Sequence, residues 1–321
     1  MKRRGFIGFL FLFAFALQAA AQSYPSKPVR VIVPYPPGGG NDTLGRLFAA
    51  KLTERMGQSF VVENRPGAGT MIGTEAAAKS APDGYTILLS SIATHALSPN
   101  LYTRVPYDPV KDFAPITLLG IAPTVLVVTP ELPARNLSEL IALARSRPGS
   151  LAYASGGNGT PPHINGEVFK AVAGVDLLHV AYKGGGPALT DLIAGRVHVM
   201  LDTAASAMPH VRAGKLRAIA LSAAKRSPEY PDLPTFAEAG LPHYETNAWY
   251  SMHAPAGTPP EIVRRLNGEL VTILKDPDIL ARFKQLSTDP VGNSPEELGA
   301  FVRAELEKYA RIIKAAGIKL D

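Results

Sequence analysis

From residue 29 onward, short β-branched runs alternate with segments of helical period along nearly the whole chain. That alternation confines the fold to α/β layers built around mainly parallel sheets. Val29 to Val33 reads as a buried strand. Leu44, Leu47, Phe48, Leu52 and Met56 then recur at helical spacing, with Gly57 placed to close the helix. Phe60 to Glu63 and Tyr85 to Ser91 read as further strands, separated by a helical stretch around Thr74 to Lys79. The apolar run from Ile116 to Thr129 is broken only by Gly120 and Pro123, and there the chain is expected to cross into a second domain.

Asn136 with Glu139 forms a candidate capping box for a helix from Leu137 to Ser146. Strands are expected at Leu151–Ala154, Leu177–Tyr182 and Val197–Leu201, each followed by a loop and a helix, and another at Leu216–Ser222. Prolines and acids between Pro228 and Pro242 suggest a surface connection, and Thr246 to Ala254 an extended return path. Two amphipathic helices close the chain, near Pro260–Leu274 and Pro295–Ala315. Two crossings imply two lobes, residues 22–120 with 247–321 and residues 121–246, joined by a two-strand hinge.

The first 21 residues read as a cleavable export signal. Lys2, Arg3 and Arg4 precede an apolar run from Phe6 to Leu17, and Ala19-Ala20-Ala21 follows as an A-x-A cleavage site. The run is short for a membrane anchor. Its removal leaves 30 basic against 27 acidic residues, scattered without the basic runs of a nucleic-acid binder. Cysteine is absent, which excludes a disulfide scaffold, a thiol nucleophile and a thiolate metal site.

In open α/β sheets ligands gather at the carboxyl ends of strands, so the strand-to-helix loops carry the functional reading. The first is Pro34-Tyr35-Pro36-Pro37-Gly38-Gly39-Gly40-Asn41-Asp42. Its glycines let backbone approach a ligand, and a helix N-terminus there favours an anion. It is neither a nucleotide P-loop nor a Rossmann fingerprint, and a tight turn is the plain alternative. Asp42 would repel an anion, so it either caps the helix or meets an amino or hydroxyl group. The second loop offers Ser90, Thr94 and His95, and its hydroxyls taken alone are more often turn and cap residues than ligand contacts. The third runs Ser155-Gly156-Gly157-Asn158-Gly159-Thr160-Pro161-Pro162-His163, with Thr160 as N-cap and Pro161 as first helical residue. His163 has no evident partner there, which favours a structural role. The fourth is Tyr182-Lys183-Gly184, whose lysine could pair with an acidic ligand or stay solvated. The fifth is Asp202-Thr203.

No G-x-S-x-G or H-E-x-x-H occurs, and the seven histidines never reach paired metal-ligand spacing. Catalytic residues, metal and cofactor are all expected to be absent. Binding is the better reading of such loops.

Pro36 to Asp42 with Arg46, Thr94-His95-Ala96 through Pro99-Asn100, and Gly157-Asn158-Gly159-Thr160 to His163 together resemble the Bug family. So do Ala181-Tyr182-Lys183-Gly184, Ala213-Gly214-Lys215-Leu216-Arg217 and Ala254-Pro255-Ala256-Gly257-Thr258-Pro259, over essentially the whole chain from Tyr24. Bug proteins are the extracytoplasmic receptors of tripartite tricarboxylate transporters. The resemblance implies a type II-like periplasmic-binding-protein fold: two lobes that close on a small carboxylate. It implies a periplasmic monomer that delivers its ligand to membrane permease subunits. It maps the two carboxylate-holding loops onto Pro36–Asp42 and Ser155–His163, and a variable second pole onto Ser90, Thr94, Lys183, Asp202 and Thr203. Thr160 and Ile164 stand where serine and leucine are common, and Asn165 is expected to point away from the cleft. A sensor subunit for a membrane kinase would use the same cleft. The residues leave the anion open, Lys183 suiting a distal negative charge, Trp249 and Tyr35 an aromatic face.

Overall fold

The computed structural model describes residues 24–38, 40–223, 225–242, 244, 246–315 and 317–319. The expected export signal, Gly39 of the first candidate loop and His243 lie outside the described residues.

Strands and helices alternate as the apolar periodicity dictates. The order is β1 (Val29–Val33), α1 (Gly40–Met56), β2 (Phe60–Asn64), α2 (Met71–Ala78), β3 (Thr86–Ser91), α3 (Ser98–Leu101) and β4 (Phe113–Val128). There follow α4 (Leu137–Ser146), β5 (Ala152–Ser155), α5 (Pro161–Ala173), β6 (Leu178–Ala181), α6 (Gly185–Ile193), β7 (Val199–Thr203), α7 (Ala204–Arg212) and β8 (Arg217–Leu221). The chain ends with β9 (Asn247–Pro255), α8 (Pro260–Ile273), α9 (Pro277–Gln285), β10 (Asp289–Pro290) and α10 (Pro295–Ala315). The box at Asn136 is formed reciprocally. Glu139 N–H donates to Asn136 Oδ1 at 2.9 Å, and Glu139 carboxylate oxygens accept from Asn136 Nδ2 and Arg135 N–H.

One curled, mixed sheet carries the molecule, in the order β2-β1-β3-β9-β4-β7-β5-β6, with β8 and β10 also on β4. The apolar run expected to break at Gly120 and Pro123 is a single strand, β4, of 16 residues. Its partners change instead. From Phe113 to Pro123 it pairs with β9, and from Thr124 to Val128 with β7. Gly120 has a packing reason: a Cβ there would lie 2.8 Å from Phe283 and Thr288 and 2.9 Å from Asp289 O. The missing side chain lets β10 close on β4.

Strand directions position the site. β3 and β4 are both antiparallel to β9, so they run the same way, and β1 runs with β3. β7 is antiparallel to β4, and β5 and β6 run with β7. The carboxyl ends of β1 and β3 therefore approach the partner switch from one side, and those of β5, β6 and β7 from the other. The chain returns beside the crossing, where Ser222 N–H donates to Thr124 O at 2.7 Å and Thr246 N–H to Ser222 Oγ at 3.1 Å.

Two features went unanticipated. Helix α9 is opened by Asp276, whose side chain accepts from Asp278 N–H at 2.8 Å. The Pro228–Pro242 stretch, expected as a surface connection, buries Tyr230, Leu233, Phe236 and Leu241, because its aromatic and leucine anchors outweigh its prolines and acids. Helix α10 presents Leu298, Val302, Tyr309 and Ile313 along one stripe. That stripe packs in one core with Leu97 and Trp249 from the first half and Tyr153, Phe169 and Phe236 from the second.

Candidate functional site

Register measures the gap between the two sets of strand ends. Ser91, the last residue of β3, is level with Tyr250, which is level with Gly120 of β4. Thr203, the last residue of β7, is level with Thr124. At about 3.3 Å per residue the two carboxyl ends stand roughly 13 Å apart along β4, a spacing suited to a small molecule.

In the β1–α1 loop, Pro36 and Gly38 are exposed and Tyr35 is half-buried. Tyr35 Oη is 2.6 Å from Ser91 Oγ, and burial pushes its phenol pKa up. Asn41 Oδ1 is buried and finds no partner among the described residues. The puzzle of Asp42 resolves in the fold. Its carboxylate accepts from Arg46 Nε at 3.0 Å, from Gly38 N–H at 2.9 Å and from Asn64 Nδ2 at 2.8 Å. The Arg46 bond, then the Gly38 amide, bring its pKa down to about 2 against the opposing effect of burial. Asp42 therefore ties its own loop and carries a charge already balanced by Arg46.

The β3 loop places three of the candidate residues away from solvent. Ser90, Thr94 and His95 were read as ligand contacts, yet all three are fully buried. Ser90 Oγ is engaged by Ser251 Oγ at 2.6 Å and His253 Nδ1 at 2.8 Å. Thr94 Oγ1 donates to Ser91 O and accepts from Ser91 N–H. His95 stacks on His253 with centroids 4.3 Å apart, and burial brings its pKa down to about 3. The two hydroxyls are satisfied beneath the loop, while His95 Nε2 is buried with no partner among the described residues. Ser91 is the residue of this loop that reaches Tyr35.

The β5–α5 loop is strapped from within. Ser155 is buried, its hydroxyl 2.7 Å from His179 Nε2 and accepting from Gly157 N–H at 3.1 Å. Thr160 Oγ1 donates to Gly157 O at 2.6 Å, and Gly159 N–H donates to His163 Nδ1 at 3.0 Å. Ser155 and His163 thus shape the loop, while Gly156, Gly157 and Gly159 supply its backbone. Gly184 N–H donates to Gly156 O at 3.0 Å and joins this loop to the next. Asn165 is buried and donates to Thr124 Oγ1 at 3.2 Å, tying α5 to the crossing strand.

In the β6–α6 loop, Tyr182 Oη donates to Asp191 at 2.8 Å and is turned toward its own helix. Lys183 is exposed and pairs with no carboxylate among the described residues. In the β7–α7 loop, Asp202 is nearly buried and accepts from Thr203 N–H at 2.8 Å; burial raises its pKa. Thr203 is half-buried at the start of α7. Trp249, one of the two aromatics considered for a ligand face, is buried with its indole N–H on Glu305 Oε2 at 3.0 Å.

Tyr250 escaped the sequence reading because it lies within a strand. It is half-buried on β9, level with Ser91, and its phenol pKa is raised by burial and by the Asp202 carboxylate across the crossing. The alternation of β9 could have flagged it, but only the sheet order puts it between the lobes. Tyr35, Ser91 and Tyr250 on one side, with Asp202 and Thr203 on the other, form a polar floor bordered by the glycine loops. Among the described residues no three His, Asp or Glu side chains gather as a metal site would need. No helix of the described residues is long and apolar enough to cross a membrane.

Residues 44–318 match the family described as "TctC: Tripartite tricarboxylate transporter family receptor". Protein BugT of Bordetella pertussis is 38% identical over 306 residues, 95% of this chain and 94% of that one. Among solved structures, R. palustris Rpa4515 with adipate has a TM-score of 0.80 at 39% identity, covering 92% of this chain and 99% of that one. Periplasmic binding protein BugD has a TM-score of 0.77 at 35% identity, covering 92% and 99%. MatC from Rhodopseudomonas palustris with bound malate has a TM-score of 0.76 at 33% identity, covering 90% and 100%.

Proposed function

The chain belongs to the tripartite tricarboxylate transporter receptor family, whose members and solved neighbours are solute-binding receptors rather than enzymes, and from that premise we propose that it captures a small organic carboxylate between its lobes. The observation that carries this reading is the convergence of two opposed sets of strand ends on one crossing strand, each bearing glycine-rich loops. Such loops meet an anion with backbone donors, which costs no charged partner and suits a ligand that must later be released. Asp42, neutralised by Arg46, presents no free charge to repel it. Contacts from both halves give the closed state its extra affinity.

Lys183, Asp202, Thr203 and Tyr250 would read the ligand's second pole. An aspartate and a lysine on neighbouring loops fit a ligand carrying both a hydrogen-bond donor and a second negative charge. We place the protein in the periplasm after removal of residues 1–21, as a monomer delivering its ligand to membrane permease subunits. The neighbours' adipate and malate make dicarboxylates the first class to test.

The experiment is a thermal-shift panel of di- and tricarboxylates, acidic amino acids and aromatic acids, paired with native mass spectrometry of the purified protein. A ligand at about 100 times its Kd stabilises the fold by about 2.7 kcal/mol. For a protein of this size that raises Tm by roughly 4–5 °C. Silence across the whole panel, with no co-purified acid, refutes the reading.

A further inference from the structure

Beneath the β5–α5 loop stands a column of three rings. Tyr153 of β5 and His179 of β6 are register partners, stacked with centroids 4.7 Å apart. His179 in turn stacks on His163 of α5 at 4.2 Å, the two rings 21° from parallel. Each imidazole holds a different point of the loop: His179 Nε2 meets Ser155 Oγ at 2.7 Å, and His163 Nδ1 accepts Gly159 N–H at 3.0 Å.

These two bonds respond differently to a proton. A protonated His179 can still donate to Ser155. His163 must keep Nδ1 bare, because a proton there would set two donors against each other at the Gly159 contact. A second positive ring 4.2 Å away would add repulsion. The charged neighbours sit on α5 itself: Glu167, which accepts from Tyr153 Oη at 2.6 Å, and Lys170, 3.1 Å from the same Glu167 oxygen. Burial lowers the pKa of both histidines, with Glu167 opposing and Lys170 assisting; for His179 the result is about 4.

We propose that His163 and His179 are positioning residues of the anion-binding loop, and that protonation of the column detaches Gly159 and loosens the grip on an organic anion. This rests on reading that loop as a ligand-binding element. A receptor built so would hold its ligand at neutral pH and let it go in acid.

The test has a ligand-free arm and a binding arm. In the first, NMR follows the His163 ring and the Gly159 amide from pH 7.5 to 4, with β1 amides as a control for global unfolding. The Gly159 amide is expected to titrate with the His163 imidazole, at a midpoint below 6.5, while β1 stays native. A Gly159 amide that stays flat while His163 titrates overturns the proposal. The binding arm uses adipate with wild type and His163→Asn, whose amide oxygen can stand near Nδ1 without titrating. The ligand's own titration is common to both proteins and cancels in their ratio. Wild type is expected to lose affinity relative to His163→Asn by up to tenfold per pH unit below the midpoint. Parallel pH profiles overturn the proposal. If neither protein binds adipate at pH 7.5, the dicarboxylate reading fails, and the ligand-free arm still decides whether the column positions the loop.

Discussion

Gly166 sits inside α5, where alanine would ordinarily be the better residue. On propensity alone, Gly166→Ala should stabilise the helix by about 1 kcal/mol. The structure reverses that sign. A Cβ at 166 would lie 2.2 Å from Tyr153 Cε2, 2.6 Å from Cδ2 and 2.7 Å from Cζ, far inside the ordinary contact distance of about 3.5–4.0 Å. The ring has nowhere to go, because it is fully buried, stacked on His179 and bonded through its hydroxyl to Glu167. Overpacking of this kind costs about 3 kcal/mol, the upper part of the usual range. The net expectation is a loss of about 2 kcal/mol, or roughly 3 °C in Tm. Urea unfolding supplies the free energy, with an unchanged m-value as the sign that the denatured state is not involved. Repeating the substitution in a Tyr153→Ala background isolates the clash. There Gly166→Ala should stabilise by about 1 kcal/mol. An unchanged or higher Tm for Gly166→Ala alone, or an equal cost in both backgrounds, would refute the packing argument.

Asp42→Ala leaves the Gly38 amide, Arg46 Nε and Asn64 Nδ2 without their acceptor, and should cost about 2–3 kcal/mol with faster hydrogen exchange at Gly38. Asp42→Asn should recover part of that loss, since one oxygen remains to accept. Acid should weaken the fold through the buried His95–His253 pair, whose folded pKa values lie below 6.5. The unfolded chain then binds more protons, so stability is full above about pH 6.5 and falls below it, by about 1.4 kcal/mol per pH unit for each imidazole. For His95 the loss continues to about pH 3, and His95→Leu should take one proton out of the slope measured by urea unfolding between pH 6 and 4. Lys183→Ala should weaken a dicarboxylate more than its half-amide, a contrast that isothermal titration can read; equal losses would remove Lys183 from the second pole.

The sequence carried the βα units because each rests on a local signal. Val29–Val33 is apolar without a break, Asn136 and Glu139 sit three apart, and Pro161 marks the start of α5. It carried the loops as well, since glycine and proline mark them wherever they occur. It could not say which way the loop side chains turn. Ser90, His95 and Ser155 read as polar residues near strand ends, and they are, but Ser90 meets His253 and Ser251, His95 stacks on His253 and Ser155 meets His179, all from other parts of the chain. Buried polar groups take hydrogen-bond partners, and the tertiary fold decides which partner each one meets.

By itself, then, the sequence determined the alternating layers and the places of the glycine-rich loops, because these follow from periodicity and backbone freedom within a few residues. The tertiary structure decided the rest: β4 runs unbroken while its partners change at Pro123 and Thr124, α10 packs against both halves, and Tyr250 comes to lie opposite Asp202. Each of these depends on which strand lies beside which, a pairing of residues about 70 to 140 positions apart that no local pattern encodes.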